Sequence, residues 1–373
     1  MNSIIFPLLF TTVFALFSFY ISRRFIKKLF LPKKVRTLLH IFLLVNFAGI
    51  IVYMLSRYSI SLPTYVNYFS SLSIGIIFLL FLSTIFYELF KLLIHLTPKD
   101  ESRRDFFRKT IDAASLSIAA GVATKATYGA KEISLEKVDV VIKDLKKEYS
   151  IVQISDVHIG GLIDKEFIVS MVKQINILKA DIVVITGDLI DTKLEFIQEA
   201  VNELKNIQSK YGTYFIVGNH EYFHGVKDII HYISGLNIKV LENENVYIGE
   251  KDSGFYLAGV YDIIGYRAKY YEPDINKALE GTHKYPTVLL AHQPKFIQEV
   301  DNRVDLVLSG HTHGGQIFPF NYLVKIVQPY ISGLHQHDFR TQIYVNKGTG
   351  FWGPPMRLGA SAEITKLTLK KSS

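Results

Sequence analysis

Three stretches without a single charge dominate the first quarter of the chain: residues 4–21, 37–56 and 58–87, the last most apolar from Leu72 to Tyr87. Runs of about 18 or more apolar residues are long enough to cross a bilayer as helices. A cleavable signal peptide accounts for one such run, not three, so the pattern predicts three transmembrane helices. From about residue 137 the period changes. Short β-branched runs alternate with segments of helical period: 149–155, 165–178, 180–186, 194–207 and 213–217. Further strand-like runs follow at 255–260, 287–291, 304–308, 341–345 and 362–369. Strand–helix alternation argues for an α/β domain, and the closely spaced late strands add some antiparallel character. About 240 residues are ample for one core.

Charge sharpens the first part of this picture. Residues 22–36 carry seven Lys or Arg and no acid, the 56–70 loop carries only Arg57, and 99–109 is again basic. Basic loops stay on the cytoplasmic side, which places the N-terminus and the 56–70 loop outside. The segment SRRDFFRK (102–109) followed by the small-residue-rich 110–130 resembles a twin-arginine export signal. A basic helix lying on anionic lipid is the plainer reading. If 110–126 crosses the membrane, the rest of the chain is extracytoplasmic, and that is the side expected here. The organisation expected is a three-helix transmembrane region (1–98), a basic, twin-arginine-like segment with a fourth weakly apolar stretch (99–136) and an α/β domain (137–373). The net charge of +8 owes much to the juxtamembrane loops, and no basic–aromatic motif accompanies it, so no nucleic-acid partner is expected. With no cysteine in the chain, disulfides, thiolate nucleophiles and thiolate zinc sites are excluded.

The candidate chemistry lies just beyond the strands. The run 149–155 is followed by Asp156 and His158, 180–186 by Gly187 and Asp188, and 213–217 by Gly218, Asn219 and His220. His292 follows 287–291, and His311 and His313 in SGHTHGG follow 304–308. Five strands each end in a side chain able to bind metal. Residues two apart on extended backbone point to one side, so Asp156/His158 and His311/His313 are read as two-pronged ligand sets. Ligands of open α/β sheets collect beyond the carboxyl ends of strands. One such ending is a common turn or cap; five in this order are not.

The series D-x-H, G-D, G-N-H-E, A-H and G-H-T-H resembles the calcineurin-like metallophosphoesterases, and GNHEY (218–222), LSGHTHGGQ (308–316) and GTGFWGPPMRLGASAEI (348–364) are similar to their membrane-tethered bacterial branch. The similarity runs from about 148 to 369. It implies a four-layer α/β/β/α sandwich preceded here by an all-α transmembrane region. It also implies a metal held by Asp156, His158 and His313, a second held by Asn219, His292 and His311, Asp188 bridging both, and His220 catalytic beside the scissile phosphate. Glu221 stands where an aspartate is commoner, which keeps the carboxylate but is expected to shift His220.

Two adjacent divalent ions clamp a phosphoryl group and turn a bridging water into a hydroxide nucleophile near neutral pH. Imidazole, carboxylate and amide ligands without thiolate suit Mn, Fe, Zn or Co. The expected function is therefore a metal-dependent phosphohydrolase of the cell membrane. It acts on phosphate esters or pyrophosphates of a small molecule or, given the anchor, of a lipid. The rival is a membrane scaffold or sensor that binds metal without turnover. His335 and His337 form a second two-apart pair, read as a loop near the site mouth. His224, Arg357 and the tyrosine-rich 259–273 are read as pocket lining, a lid or plain surface. His40, Glu88 and Lys91 lie near the ends of apolar runs, within reach of the membrane interface.

Overall fold

The computed structural model describes residues 5–58, 62–95 and 100–372. The junction expected at 98–99 and part of the 56–70 loop, residues 59–61, lie outside them. The chain divides into two compact units: Met1–Tyr128 with Gly353–Met356, and Gly129–Trp352 with Arg357–Ser373.

The first unit is helical: α1 (Ile5–Arg24), α2 (Lys33–Tyr58), α3 (Thr64–His95) and α4 (Glu101–Gly129). Among the described residues, three helices are long and apolar enough to cross a membrane, within Ile5–Lys28, Lys33–Ser56 and Thr64–Leu92. They pack by ring stacking and close approach. Phe17 and Phe81 stack at 4.0 Å between centroids, and Gly49 lets α2 meet Ser73 of α3 where a Cβ would collide. The charged groups at the helix ends have local partners: Glu88 accepts from Tyr20 and pairs with Arg24, and His40 bonds Ser22. Buried Asp112 on α4 accepts from the Phe30 amide and the Tyr87 hydroxyl.

The second unit is built on twelve strands: β1 (Ile133–Ile142), β2 (Tyr149–Ile154), β3 (Ile182–Thr186), β4 (Thr213–Ile216), β5 (Ile238–Val240), β6 (Glu244–Ile248), β7 (Phe255–Gly259), β8 (Thr287–Leu290), β9 (Leu306–Ser309), β10 (Gly333–Gln336), β11 (Gln342–Val345) and β12 (Ala362–Lys371). They form two six-stranded sheets, ordered β1-β12-β2-β3-β4-β5 and β10-β11-β9-β8-β7-β6. In the first, β2 to β5 run parallel; in the second, β7, β8, β9 and β11 do. All five site-bearing strands therefore end within parallel blocks.

The period-2 pattern of each strand serves two layers at once. In β3, Ile182 and Val184 face the other sheet, where Leu257, Val288, Leu290, Leu306 and Leu308 meet them. Val183 and Ile185 face helices α5 (Lys165–Ile177), α6 (Gln198–Asn202) and α8 (Val226–Ser234), through Ile168, Met171, Val201 and Ile229. Ala278, Leu279, Phe296 and Ile297 cover the far side of the second sheet. The result is an α/β/β/α sandwich. Helix α5 starts where Asp164 accepts from the Phe167 amide, an N-cap that satisfies a donor the helix leaves orphaned.

The helix expected over 194–207 is instead three short pieces: a 3₁₀ turn at Leu194–Phe196, α6, and a second 3₁₀ turn at Glu203–Asn206. Its apolar spacing is helical, and Ile197, Ala200, Val201 and Leu204 are buried. Ile197, however, leaves the helical region (φ −129°, ψ 8°), so the α segment starts only there, and its end tightens into 3₁₀ geometry as last turns commonly do.

Candidate metal centre

The backbone beyond these strands is not extended. Asp156 (φ 50°), His158 (54°), Asp188 (50°), His311 (70°) and His313 (50°) all take the left-handed conformation, which non-glycine residues adopt uncommonly and at a cost. This corrects the expectation of two prongs on extended chain: the pairs converge through successive left-handed turns. Glycines make room for them. A Cβ on Gly218 or Gly310 would collide with the carboxylates of Asp188 and Asp156 respectively, and one on Gly187 would strike the His292 ring. Beneath the site, buried Gln153 of β2 donates to Thr186 Oγ1 of β3 and to the Ser309 carbonyl of β9, tying one sheet to the other.

Two groups of potential ligand atoms form. Those of Asp156, His158 and His313 lie within 4.8 Å of one another, as do those of Asp188, His292 and His311. His158 Nε2 and His313 Nε2 face each other at 3.1 Å, and His313 Nε2 is 3.5 Å from Asp156 Oδ1. His292 Nε2 lies 3.2 Å from Asp188 Oδ2 without hydrogen-bond geometry, while its Nδ1 donates to the Thr186 carbonyl at 2.7 Å. That second bond fixes the tautomer whose Nε2 lone pair points inward. The Asn219 Oδ1 is buried with no hydrogen-bond partner, the state of an acceptor kept for a ligand. Facing imidazole lone pairs and an orphaned buried amide oxygen fit a divalent cation in each group.

The electrostatics point the same way. Burial alone would raise the Asp188 carboxyl, yet the charges of His292 and His220 hold it well below the usual range. Burial would lower His292, yet Asp188 raises it well above the usual imidazole value. Burial, aided by the charge on His292, pushes His311 down to about 3; burial and His158 likewise hold His313 well below the usual value. Those two imidazoles are therefore neutral and able to donate lone pairs. Asp156 is pushed up to about 6 by burial, against the pull of His292. Two sequestered carboxylates among neutral imidazoles constitute a demand for positive charge.

His220, the second residue of helix α7 (Asn219–His224), lies between these groups and Asp191. Its amide donates to Asp188 Oδ1, its Nδ1 is 2.6 Å from Asp191 Oδ1, and its Nε2 lies 3.9 Å from Asp188 Oδ2. Sequence reasoning passed over Asp191, although it stands in the same GDLID stretch as Asp188. The signal was a second carboxylate three residues on, close enough to serve the same site. Glu221 does not touch His220 through its carboxylate; it accepts from the amides of Gly218, Asp188, Leu189 and Ile190, joining two of the site's turns. Burial and the neighbouring Asp188 raise it to about 7.

Arg357 is neither solvated nor pocket lining. It is buried and donates to the carbonyls of Gly348, Gly350 and Ala360, and lies 3.3 Å from His313 Nδ1, so it braces the loop behind a ligand. His335 sits in edge strand β10 with its Nε2 on the Ser332 carbonyl, and His337 faces Tyr330, away from both groups. His224 Nε2 is 3.5 Å from Asp191 Oδ1. The tyrosine-rich stretch is anchored rather than free: Tyr261 donates to Glu242, and the Tyr271 carbonyl accepts from Tyr222.

The calcineurin-like phosphoesterase profile matches residues 149–315. An uncharacterized metallophosphoesterase of Helicobacter pylori is 43% identical over 238 residues, 63% of each chain. One of Campylobacter jejuni is 33% identical over 372 residues, 98% of each. A transmembrane protein with metallophosphoesterase domain from Bos taurus is 41% identical over 59% of this chain and 52% of its own length. The chain thus spans less than two thirds of the Helicobacter and bovine proteins, and nearly all of the Campylobacter one. With both ligand groups assembled at the strand ends of a two-sheet sandwich, this chain belongs to the calcineurin-like metallophosphoesterases.

Proposed function

We propose that the chain is a membrane-anchored phosphohydrolase that cleaves phosphate esters or pyrophosphates, with a lipid-linked substrate preferred. The observation that carries this reading is the convergence of Asp156, His158 and His313 beside Asp188, His292 and His311 at one end of the sandwich. Asp156, His158 and His313 would hold one divalent ion, Asn219, His292 and His311 the other, and Asp188 would bridge them. Such a pair supplies Lewis-acid polarisation of the phosphoryl oxygens and a water acidic enough to react near neutral pH.

His220 acts at the leaving group. Asp191 only accepts hydrogen bonds when ionised, so the 2.6 Å contact places a proton on His220 Nδ1 and directs Nε2 toward the site. The flanking carboxylates of Asp191 and Asp188 stabilise the imidazolium, which gives its Nε2 proton to the departing oxygen. Asp191 is a positioning residue in this scheme. No covalent phosphoenzyme is required, since positioning and charge neutralisation carry most of the rate in phosphoryl transfer.

The three apolar helices supply the case for a lipid-linked substrate: they hold the domain where lipid phosphates are concentrated. The proposed side is extracytoplasmic, supported by the basic 22–36 and 99–109 loops and the twin-arginine-like start of α4. A cysteine placed at exposed Glu195 of this cysteine-free chain should react with a membrane-impermeant maleimide in intact cells; reaction only after lysis would reverse the side. The activity is tested with the full chain in detergent, stripped of metal and reloaded with Mn, Fe, Zn or Co. Metal-restored hydrolysis of bis-p-nitrophenyl phosphate is expected. Folded protein that binds two ions and turns over neither this diester nor any lipid phosphate would instead be a metal-binding scaffold.

A further inference from the structure

Directly after the metal-binding turn, the chain builds an apolar element that buries almost nothing. The helix Asn321–Val327 reads NYLVKIV, and none of its seven residues is buried. Ile326 is 78% exposed and Val327 64%, and Leu323, Tyr322, Phe320 and Phe318 are exposed beside them. Isolated exposed apolar residues are ordinary, but a contiguous set on one element marks an interaction surface.

The element is fastened to the site. A Cβ on Gly315 would collide with Asn321, so the helix start rests on the His313–Gly315 turn. At the far end, Thr312 Oγ1 donates to the Ile331 carbonyl. Between them, the Phe318 amide bonds the Leu358 carbonyl, and Gln316 exchanges two hydrogen bonds with the Trp352 backbone. The exposed rings are therefore presented at a fixed place relative to His311 and His313.

We infer that the segment Phe318–Val327 docks on the lipid surface and sets the metal centre at headgroup level. Three features select a bilayer as occupant. The same chain carries three helices able to span one, so the surface is never far from lipid. The segment 316–331 contains no acidic residue, and its one charge, Lys325, is exposed and suits anionic headgroups. Its mix of Phe, Tyr, Leu, Ile and Val with a lysine is that of an interfacial element, whose apolar side enters the boundary between headgroups and acyl chains. The surface deepens the phosphohydrolase reading and, for the substrate alone, rests on it: a lipid phosphate would reach the ions while its acyl chains stay in the bilayer.

The absence of cysteine permits a direct test on the full chain. Single cysteines at Leu323 and Ile326, and controls at exposed Ile177 and Phe196 of the opposite helical layer, are labelled with an environment-sensitive fluorophore. The protein is reconstituted in vesicles of phosphatidylethanolamine and phosphatidylglycerol containing doxyl-labelled lipid. The proposal expects severalfold stronger quenching at 323 and 326 than at 177 and 196. Equal quenching at all four sites overturns it. So does shielding of 323 and 326 from aqueous iodide without quenching by lipid, which would reveal a second protein as the occupant. Quenching does not depend on turnover, so an inactive protein that docks and an active one that does not are distinguishable.

Discussion

At the scale of single residues, the site is a set of charges that only make sense together. Asp188→Asn should lower diester turnover by at least about 10²-fold and reduce bound metal, measured by elemental analysis on protein whose circular dichroism is unchanged. His220→Ala should leave metal content intact and cost roughly 10²–10⁴ in kcat. Asp191→Asn should cost about 10–100-fold, with the double variant no worse than His220→Ala, because the two act as one unit. Asp156 sets a pH dependence. Burial pushes its carboxyl to about 6, and metal binds only the ionised form, so protons compete as pH falls through that value and not above it. Calorimetric titration of the metal-free protein should show weaker binding at pH 5 than at pH 7.5. The residues flanking each strand end were legible because metal ligands must be His, Asp or Asn. Asp191 and Arg357 were not, since what they touch is set by chain remote in sequence.

At the scale of elements, the ligands depend on turns that local propensity opposes. Five left-handed non-glycine residues in these turns are held by surroundings that over-determine them. Glu221, which stands next to His220 and was expected to shift it, is one such holder. Its four amide partners span the turn after β3 and the entry to α7. Glu221→Gln should cost about 1–3 kcal/mol in urea unfolding, because a buried donor loses its acceptor. Gly218→Ala should be more damaging to metal binding than to folding: the added methyl meets the Asp188 carboxylate, and overpacking costs about 1–3 kcal/mol. Retained two-metal stoichiometry in Gly218→Ala would contradict this. The buried strands β2, β3, β4, β8 and β9 were readable as apolar runs. Strand β1 was not: it is an edge strand with one face largely open, so ISLEKVDVVI carries too little apolar signal. It owes its place to pairing with β12, over two hundred residues away.

At the scale of the molecule, the metals and the fold are coupled. The ligands come from five strands in two sheets, so ions bound there link both halves of the sandwich and bind only the folded form. Chelation should therefore lower the melting temperature of the second unit by roughly 5–10 °C, readily seen by calorimetry with and without EDTA. An unchanged transition would mean that Gln153 and the cross-sheet bonds of Tyr344 and Asn346 suffice to hold the sheets together.

What the order of residues determined alone was the division into bilayer-length apolar runs and an α/β domain, and the identity of the side chains that can bind metal. Both are consequences of composition and period, which burial in lipid or in a core imposes on any chain. Only the tertiary structure decided which histidines meet. His311 and His313 converge with partners more than a hundred residues upstream, whereas His335 and His337, equally spaced, end on an edge strand. The same holds for the helix Asn321–Val327, whose apolar sequence reads as core until the fold leaves it on the surface. Spacing governs where side chains point relative to their neighbours; what they face depends on contacts between distant segments, and no local pattern encodes those.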